Sequence, residues 1–150
     1  MTNTILYAKL NLEGYMKAVE YFMQGNSCSE SIILEAIEKK YCDKDLLSVA
    51  TGFSGGISSG CLCGAVAGSI MVISSLFGKE NKYNNPLKAR ELSKEFMTKF
   101  KDAHKVTCCR ALSKGFEMHS PERKQNCCNF VEFCSNTLSE IVGNELVKHD

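Results

Sequence analysis

Residues 54–69 read SGGISSGCLCGAVAGS, inside a longer segment, residues 46–78, that carries no charged side chain. The first half of this stretch has too many glycines and serines for regular structure. From Cys63 the pattern changes to an apolar helix that we expect to end at about Phe77. Its strongly apolar part, residues 65–77, is shorter than the ~20 residues that a membrane-spanning helix needs. The segment therefore predicts a buried core helix and not a membrane span.

A row of glycines runs through the same segment. Gly60, Gly64 and Gly68 recur at every fourth position. Where such a row is helical, the missing side chains allow the backbone of another element to approach closely. We therefore expect this helix to pack tightly against a neighbour.

Length and composition indicate one globular domain over residues 1–150. The chain has 44% hydrophobic and 23% charged residues, which is typical of a globular protein, and its length suits a single core. A net charge of +1 provides no broad basic surface, so we expect no nucleic-acid partner. The first residues contain no basic segment followed by an apolar one, so we expect a cytoplasmic protein without a secretory signal.

The N-terminal half predicts three further helices. In the first, Tyr15, Ala18, Val19 and Phe22 recur at helical spacing until Gly25 and Asn26 end the pattern. In the second, Ser27 followed by Glu30 forms a capping box, so the helix begins at Cys28 and runs to about Tyr41. A short third helix covers residues 45–52.

The C-terminal half predicts three amphipathic helices and no strand. Asn85 and Pro86 begin one helix, Thr107 caps a short one, and Ser120 begins a long one that we expect to end at Gly143. The first of these carries an apolar stripe composed of Ala89, Leu92, Phe96 and Phe100. Since alternating β-branched runs and hairpin turns are absent, the fold class is all-α, a compact bundle of about five to seven helices.

Cysteine is the unusual residue in the composition, with nine copies. Where no export signal is evident, structural disulfides are rare, and clustered cysteines more often indicate metal or redox chemistry. The alternative is that they are small apolar side chains that fill the core. The nine are Cys28, Cys42, Cys61, Cys63, Cys108, Cys109, Cys127, Cys128 and Cys134.

The predicted helices place several cysteines where a thiolate is favoured. Cys28, Cys63 and the pair at 108 and 109 lie in the first turn of a helix, where the helix dipole can lower a thiol pKa from ~8.5 to ~3.5–7.5. In the last helix, Cys127 and Cys134 share one face, and we expect Cys134 to be in the core. The chain has no C-x-x-C, which excludes the thioredoxin motif and zinc-ribbon spacing.

Four motifs in this order resemble the C_GCAxxG_C_C family of redox-active proteins. They are a cysteine at the start of the second helix, CGAVAG from Cys63, CRAL from Cys109 and a cysteine in the last helix. The resemblance covers nearly the whole chain, and its name implies redox activity without a settled reaction. It implies that the family cysteines are Cys28, Cys63, Cys109 and Cys127, with Cys61 an alternative to Cys63 and Cys128 an alternative to Cys127.

Three functional hypotheses follow. The first is a redox or electron-transfer protein that works with a redox partner protein. It would hold an iron–sulfur cluster on Cys28, Cys63, Cys109 and Cys127, with zinc as a less favoured alternative to the cluster. In this hypothesis the backbone around Gly64 and Gly68 approaches the sulfurs and tunes the cofactor. The second is a thiol–disulfide relay in which Cys63 attacks and Cys28 or Cys109 resolves. The third is a non-catalytic bundle that binds zinc or copper.

Two other side chains near the 108–109 pair have open roles. His104 lies one turn earlier and is either a metal ligand or, more commonly at such a position, a cap or surface residue. Arg110 either lowers the pKa of the Cys109 thiol or extends into solvent.

Overall fold

The structure is a computed structural model that describes residues 13–149, and the side chains from residue 17 onward. Within that range it is an all-α bundle without strands, as predicted from the sequence. Its seven helices are α1 (Glu13–Met23), α2 (Cys28–Glu38), α3 (Leu46–Thr51), α4 (Gly64–Phe77), α5 (Pro86–His104), α6 (Cys109–Leu112) and α7 (Pro121–Val147). Tyr15, on the apolar face predicted for α1, lies outside the described side chains.

The apolar helix α4 is the centre of the bundle. It packs against α2, α5 and α7, and most of its residues are buried, including Val66, Ile73 and Phe77. The prediction of a core helix is therefore confirmed. None of the described helices is both long and apolar enough to cross a membrane.

Two glycines of the predicted row lie where α4 crosses α2. A Cβ at Gly68 would lie 3.0 Å from the carbonyl oxygen of Ser29 and 3.3 Å from the Cβ of Ile32. A Cβ at Gly64 would collide with the sulfur of Cys28. The missing side chains therefore permit a close approach of the two helices, as the spacing predicted. Gly60 precedes α4 and packs beneath Arg110.

The starts of α2, α5 and α7 agree with the sequence prediction because they depend on local hydrogen bonds. At the start of α2, the Ser27 N–H donates to the Glu30 carboxylate (2.9 Å) and the Glu30 N–H donates to the Ser27 hydroxyl (3.2 Å). Asn85 and Ser120 cap α5 and α7 in the same manner, with side-chain oxygens that accept backbone N–H groups.

The helix ends agree less well. Helix α2 ends at Glu38, three residues before the predicted Tyr41, because Lys40 takes a left-handed conformation (φ 61°). The Tyr41 N–H then donates to the carbonyl of Ala36, and that of Lys40 donates to the carbonyl of Ile37. These two bonds form a Schellman motif, which here uses lysine where glycine is usual.

Two other predicted boundaries are wrong. Helix α7 continues through Gly143 to Val147, since Gly143 does not take the left-handed conformation that ends a helix and the following Glu145 is buried. The cap of α6 is Cys108 and not Thr107, because the Thr107 carbonyl accepts the backbone N–H of Cys63 instead.

A buried carboxylate joins the three helices α1, α2 and α7. Glu35 of α2 accepts a hydrogen bond from the backbone N–H of Ala18 (2.9 Å) and one from the Ser135 hydroxyl (2.7 Å). The Lys39 ammonium lies 3.5 Å from the same carboxylate. Burial is the largest influence on this group and raises the pKa of Glu35.

Candidate redox site

A short antiparallel bridge brings two of the predicted cysteines together. Leu62 pairs with Cys108, the Cys63 N–H donates to the Thr107 carbonyl (2.8 Å), and the Cys109 N–H donates to the Cys61 carbonyl. The segment before α4 therefore lies alongside the segment before α6. This pairing joins residues more than forty positions apart in the chain and places the starts of both helices at one corner.

The glycine-rich segment packs its backbone against the same corner. Gly55, Gly56, Ile57 and Ser58 form a left-handed turn, with φ values between 55° and 70°. A Cβ at Gly56 would lie 2.6 Å from the Cβ of Cys109, so the position requires glycine both for its conformation and for its contact. The sequence prediction of irregular structure here is confirmed, and the turn packs against Cys109.

The four cysteines named from the family motif lie near one another. Cys28 lies against Gly64 at the start of α4, and its thiol interacts electrostatically with those of Cys63, Cys109 and Cys127. The thiol of Cys109 also interacts with those of Cys63 and Cys127. Four segments that are distant in sequence thus contribute sulfur to one corner of the bundle.

Three of these four cysteines line an open cleft of about 720 Å³, which lies between the starts of α2 and α7. Cys28, Cys109 and Cys127 are partly buried along its wall. Cys63 does not line the cleft and is only 6% exposed. The corner therefore has three thiols on the cleft wall and one behind them.

Burial changes the expected acidity of these thiols. Cys28 and Cys109 are the first residues of α2 and α6, as predicted, whereas Cys63 lies one residue before α4 as its N-cap. The pKa values of Cys28 and Cys63 are raised, with that of Cys63 at about 12. Desolvation is the largest cause for both, and nearby backbone N–H groups oppose it only in part. The lowered pKa predicted for these two thiols is therefore wrong, because burial outweighs the helix start.

Cys127 is subject to opposing influences. Burial raises the pKa of its thiol, while the nearby Arg123 guanidinium acts to lower it. Arg123 lines the cleft and therefore influences the acidity of Cys127 from that side.

Arg123 is the cleft side chain that the sequence reasoning missed. Its guanidinium donates to the sulfur of Cys109, with Nη2 and Sγ 3.6 Å apart. Arg110, the arginine singled out from the sequence, instead donates to the carbonyl of Ser59 (3.2 Å) and is exposed. A usable signal existed, since Arg123 lies four residues before Cys127, and residues four apart share a helix face.

The remaining cysteines have separate surroundings. Cys134 is fully buried, as predicted, and its thiol also interacts with those of Cys63 and Cys28. Cys108 donates to the Gly60 carbonyl, while Cys61 is exposed. Cys128 lies 3.4 Å from the sulfur of Met23, and Cys42 lies beside a different pocket.

His104 belongs to an aromatic cluster and not to the cysteine corner. Its ring packs against those of Phe100, Phe130 and Phe133, and burial lowers its pKa.

All nine cysteines are free thiols. Across residues 13–149, no group of three or more histidine, cysteine, aspartate or glutamate side chains is arranged to hold a metal ion.

Comparison with known proteins agrees with the motif. The family model described as "Putative redox-active protein (C_GCAxxG_C_C)" matches residues 26–141, which include all nine cysteines. The chain belongs to the C_GCAxxG_C_C family. No curated protein and no solved structure matches it significantly. The family description therefore gives redox activity as the class of function, and the cysteine corner is where this member of the C_GCAxxG_C_C family gathers its sulfur atoms.

Proposed function

We propose that this C_GCAxxG_C_C protein carries out thiol–disulfide exchange at the cysteine cleft. The observation that supports the proposal is that Cys28, Cys109 and Cys127 line one open cleft, where the Arg123 guanidinium donates to the sulfur of Cys109. Exchange needs an accessible attacking sulfur and a second thiol close enough to resolve the mixed disulfide. The cleft has candidates for both.

Cys109 is our choice for the attacking thiol. It lines the cleft, and the Arg123 guanidinium donates to its sulfur. Cys63, the nucleophile favoured from the sequence, is buried, and its pKa is about 12. A thiol must reach its substrate and lose its proton in order to attack, so the geometry favours Cys109 over Cys63. The assignment remains a prediction.

The proposed exchange has two steps. The Cys109 thiolate attacks one sulfur of an incoming disulfide, which forms a mixed disulfide and releases one thiolate. The thiolate of Cys28 or Cys127 then attacks the Cys109 sulfur, forms a disulfide within the protein and releases the second thiolate. The protein loses two electrons and two protons, and the substrate disulfide gains them as two thiols. The reverse sequence would reduce the protein at the expense of a substrate dithiol.

An iron–sulfur protein is the second candidate. It is supported by the number of cysteines, since Cys28, Cys63, Cys109 and Cys127 supply the four sulfur donors that such clusters usually take. The donor types fit a cluster or zinc, but the side chains are not arranged for a metal ion as they stand. Bound there, a cluster would supply one-electron transfer.

Anaerobic purification distinguishes these candidates. We expect colourless, metal-free protein that loses two thiols on mild oxidation, with peptide mapping that locates a new disulfide between Cys109 and either Cys28 or Cys127. Brown protein with stoichiometric iron and sulfide would support the cluster instead, and stoichiometric zinc without a redox response would support the binding hypothesis. Metal-free protein whose nine thiols resist mild oxidation would contradict all three.

The partner and the cellular location are proposals of the same kind. Nine free thiols are typical of a reducing compartment, so we propose a cytoplasmic location and a redox partner protein that restores the thiols. Cell fractionation and capture of a mixed disulfide on a variant without the resolving cysteine would test these two proposals.

A further inference from the structure

The cleft that holds the three thiols also has an excess of positive charge. Arg123 and Lys124, both near the start of α7, line it. The acidic residue in the described lining is Glu30, whose carboxylate accepts hydrogen bonds from the Ser27 N–H (2.9 Å) and the Thr51 hydroxyl (2.8 Å). Neither cation forms an ion pair with a carboxylate within the described part of the chain. The cleft therefore has two cations without an acidic partner.

Both cations are held in definite places. The Arg123 guanidinium lies 3.6 Å from the sulfur of Cys109. The Lys124 ammonium lies over the ring of Phe22, 4.5 Å from its centroid, at a distance typical of a cation–π contact. One positive charge thus lies beside the proposed attacking sulfur, and the other lies on α7 next to it in sequence and against α1.

The size of the cleft indicates a small molecule. A volume of about 720 Å³ falls within the range of ~300–1,000 Å³ that is typical of small-molecule sites. A charged group that enters such a cleft loses part of its hydration, so its sign must match the charges on the walls. Two unpaired cations favour an anionic ligand and disfavour a cationic one.

We propose that the substrate of the cleft is a small disulfide that carries carboxylate or phosphate groups, such as the oxidised form of an acidic low-molecular-weight thiol. This inference rests on the proposed thiol–disulfide exchange and specifies its substrate class. The anionic groups pair with Arg123 and Lys124, and the disulfide lies against Cys109. The substrate disulfide is the oxidant, and it leaves as two anionic thiols after accepting two electrons and two protons from the protein.

Three small disulfides of similar size but different charge test the inference. They are dithiodipropionate, which is anionic, hydroxyethyl disulfide, which is neutral, and cystamine, which is cationic. Each is mixed with reduced, metal-free protein, and each rate is divided by the rate with free cysteine in order to remove intrinsic reactivity. We expect the corrected rates to fall in the order anionic, neutral, cationic, with a difference that narrows at high salt.

A matched pair of lysine variants locates the effect. Lys124→Gln removes a charge from the cleft, and Lys94→Gln removes one from the exposed face of α5, away from the cleft. We expect the ratio of anionic to neutral rates to fall about three- to tenfold in Lys124→Gln, in line with the loss of one nearby charge, and to stay unchanged in Lys94→Gln.

The results separate this inference from the function on which it rests. Equal corrected rates for the three disulfides, or the same change in both lysine variants, would overturn the charge selection while leaving thiol–disulfide exchange in place. If none of the three disulfides oxidises the protein, the proposed function itself is contradicted.

Discussion

Cys109 and Cys134 show how the same side chain differs between the cleft and the core of this bundle. Both thiols interact with that of Cys28, so nearness to the site does not separate them. Cys109 lines the open cleft and accepts a hydrogen bond from Arg123, whereas Cys134 is fully buried and its pKa is raised well above the ordinary value by desolvation. Access to solvent and a cationic donor therefore distinguish Cys109 from Cys134, whereas nearness to Cys28 does not.

The rate of alkylation gives the largest expected difference between the two thiols. In folded, reduced and metal-free protein, we expect iodoacetamide to modify Cys109 at least about a hundredfold faster than Cys134, because Cys134 must wait for the fold to open. A time course with peptide mapping measures both rates. In denaturant the two thiols should react at similar rates, and similar rates in the folded protein would break the comparison.

Two glycines on α4 extend the comparison to the backbone. Gly64→Ala and Gly68→Ala should each cost about 1–3 kcal/mol in the free energy of unfolding, since both methyl groups meet closely packed atoms of α2. Only the methyl at Gly64 meets the Cys28 sulfur, so only that variant should change the labelling rate of Cys28. Denaturant titration and alkylation measure the two effects.

Two results would contradict the prediction for the glycine variants. If the two variants change the Cys28 labelling rate equally, the contact at Gly64 has no special relation to the cysteine corner. If neither variant loses stability, the close packing of α2 against α4 is wrong.

Truncation of the buried thiol should affect stability and not reactivity. Cys134→Ala leaves a small cavity in the core and should lower the free energy of unfolding by about 1–2 kcal/mol. The labelling rate of Cys109 should stay the same, because the variant leaves the cleft wall intact. A Cys134→Ala protein that is as stable as the wild type, or that has lost Cys109 reactivity, would contradict the division between core and cleft.

The smallest effect concerns pH and the buried Glu35. Because burial raises its folded pKa above the ordinary 4.5, its stabilising contribution is complete below pH 4.5 and is lost as the pH rises through the folded value. The free energy of unfolding should therefore decline with pH across that interval, and Glu35→Gln should remove this part of the decline. Denaturant titrations across the pH range compare the two proteins, and identical slopes would contradict the prediction.

Much of the helical architecture could be predicted because helix starts depend on neighbouring residues. The capping box at Ser27, the asparagine before α5 and the serine before α7 each satisfy backbone N–H groups within one turn. The apolar stripe of α5 is buried as its spacing indicated. Helix ends were harder, since Gly143 could end a helix in isolation and does not do so where the following turn is buried.

The site was only partly predictable. The resemblance implied four site cysteines, and the predicted positions at helix starts were correct for Cys28, Cys63 and Cys109. Their acidity was not, because the burial of Cys28 and Cys63 arises from elements distant in sequence. Arg123 was missed for a similar reason, since its contact with Cys109 joins two helices across a loop.

The sequence by itself determined that the chain forms helices, where most of them begin, and that it belongs to a family defined by its cysteines. These features depend on hydrogen bonds and periodicity within a few residues. Only the tertiary structure decided which thiols face the cleft, which lie behind it and which cation lies beside them. Those properties depend on solvent exclusion and on charges from distant segments, which a thiol acquires only when the helices pack.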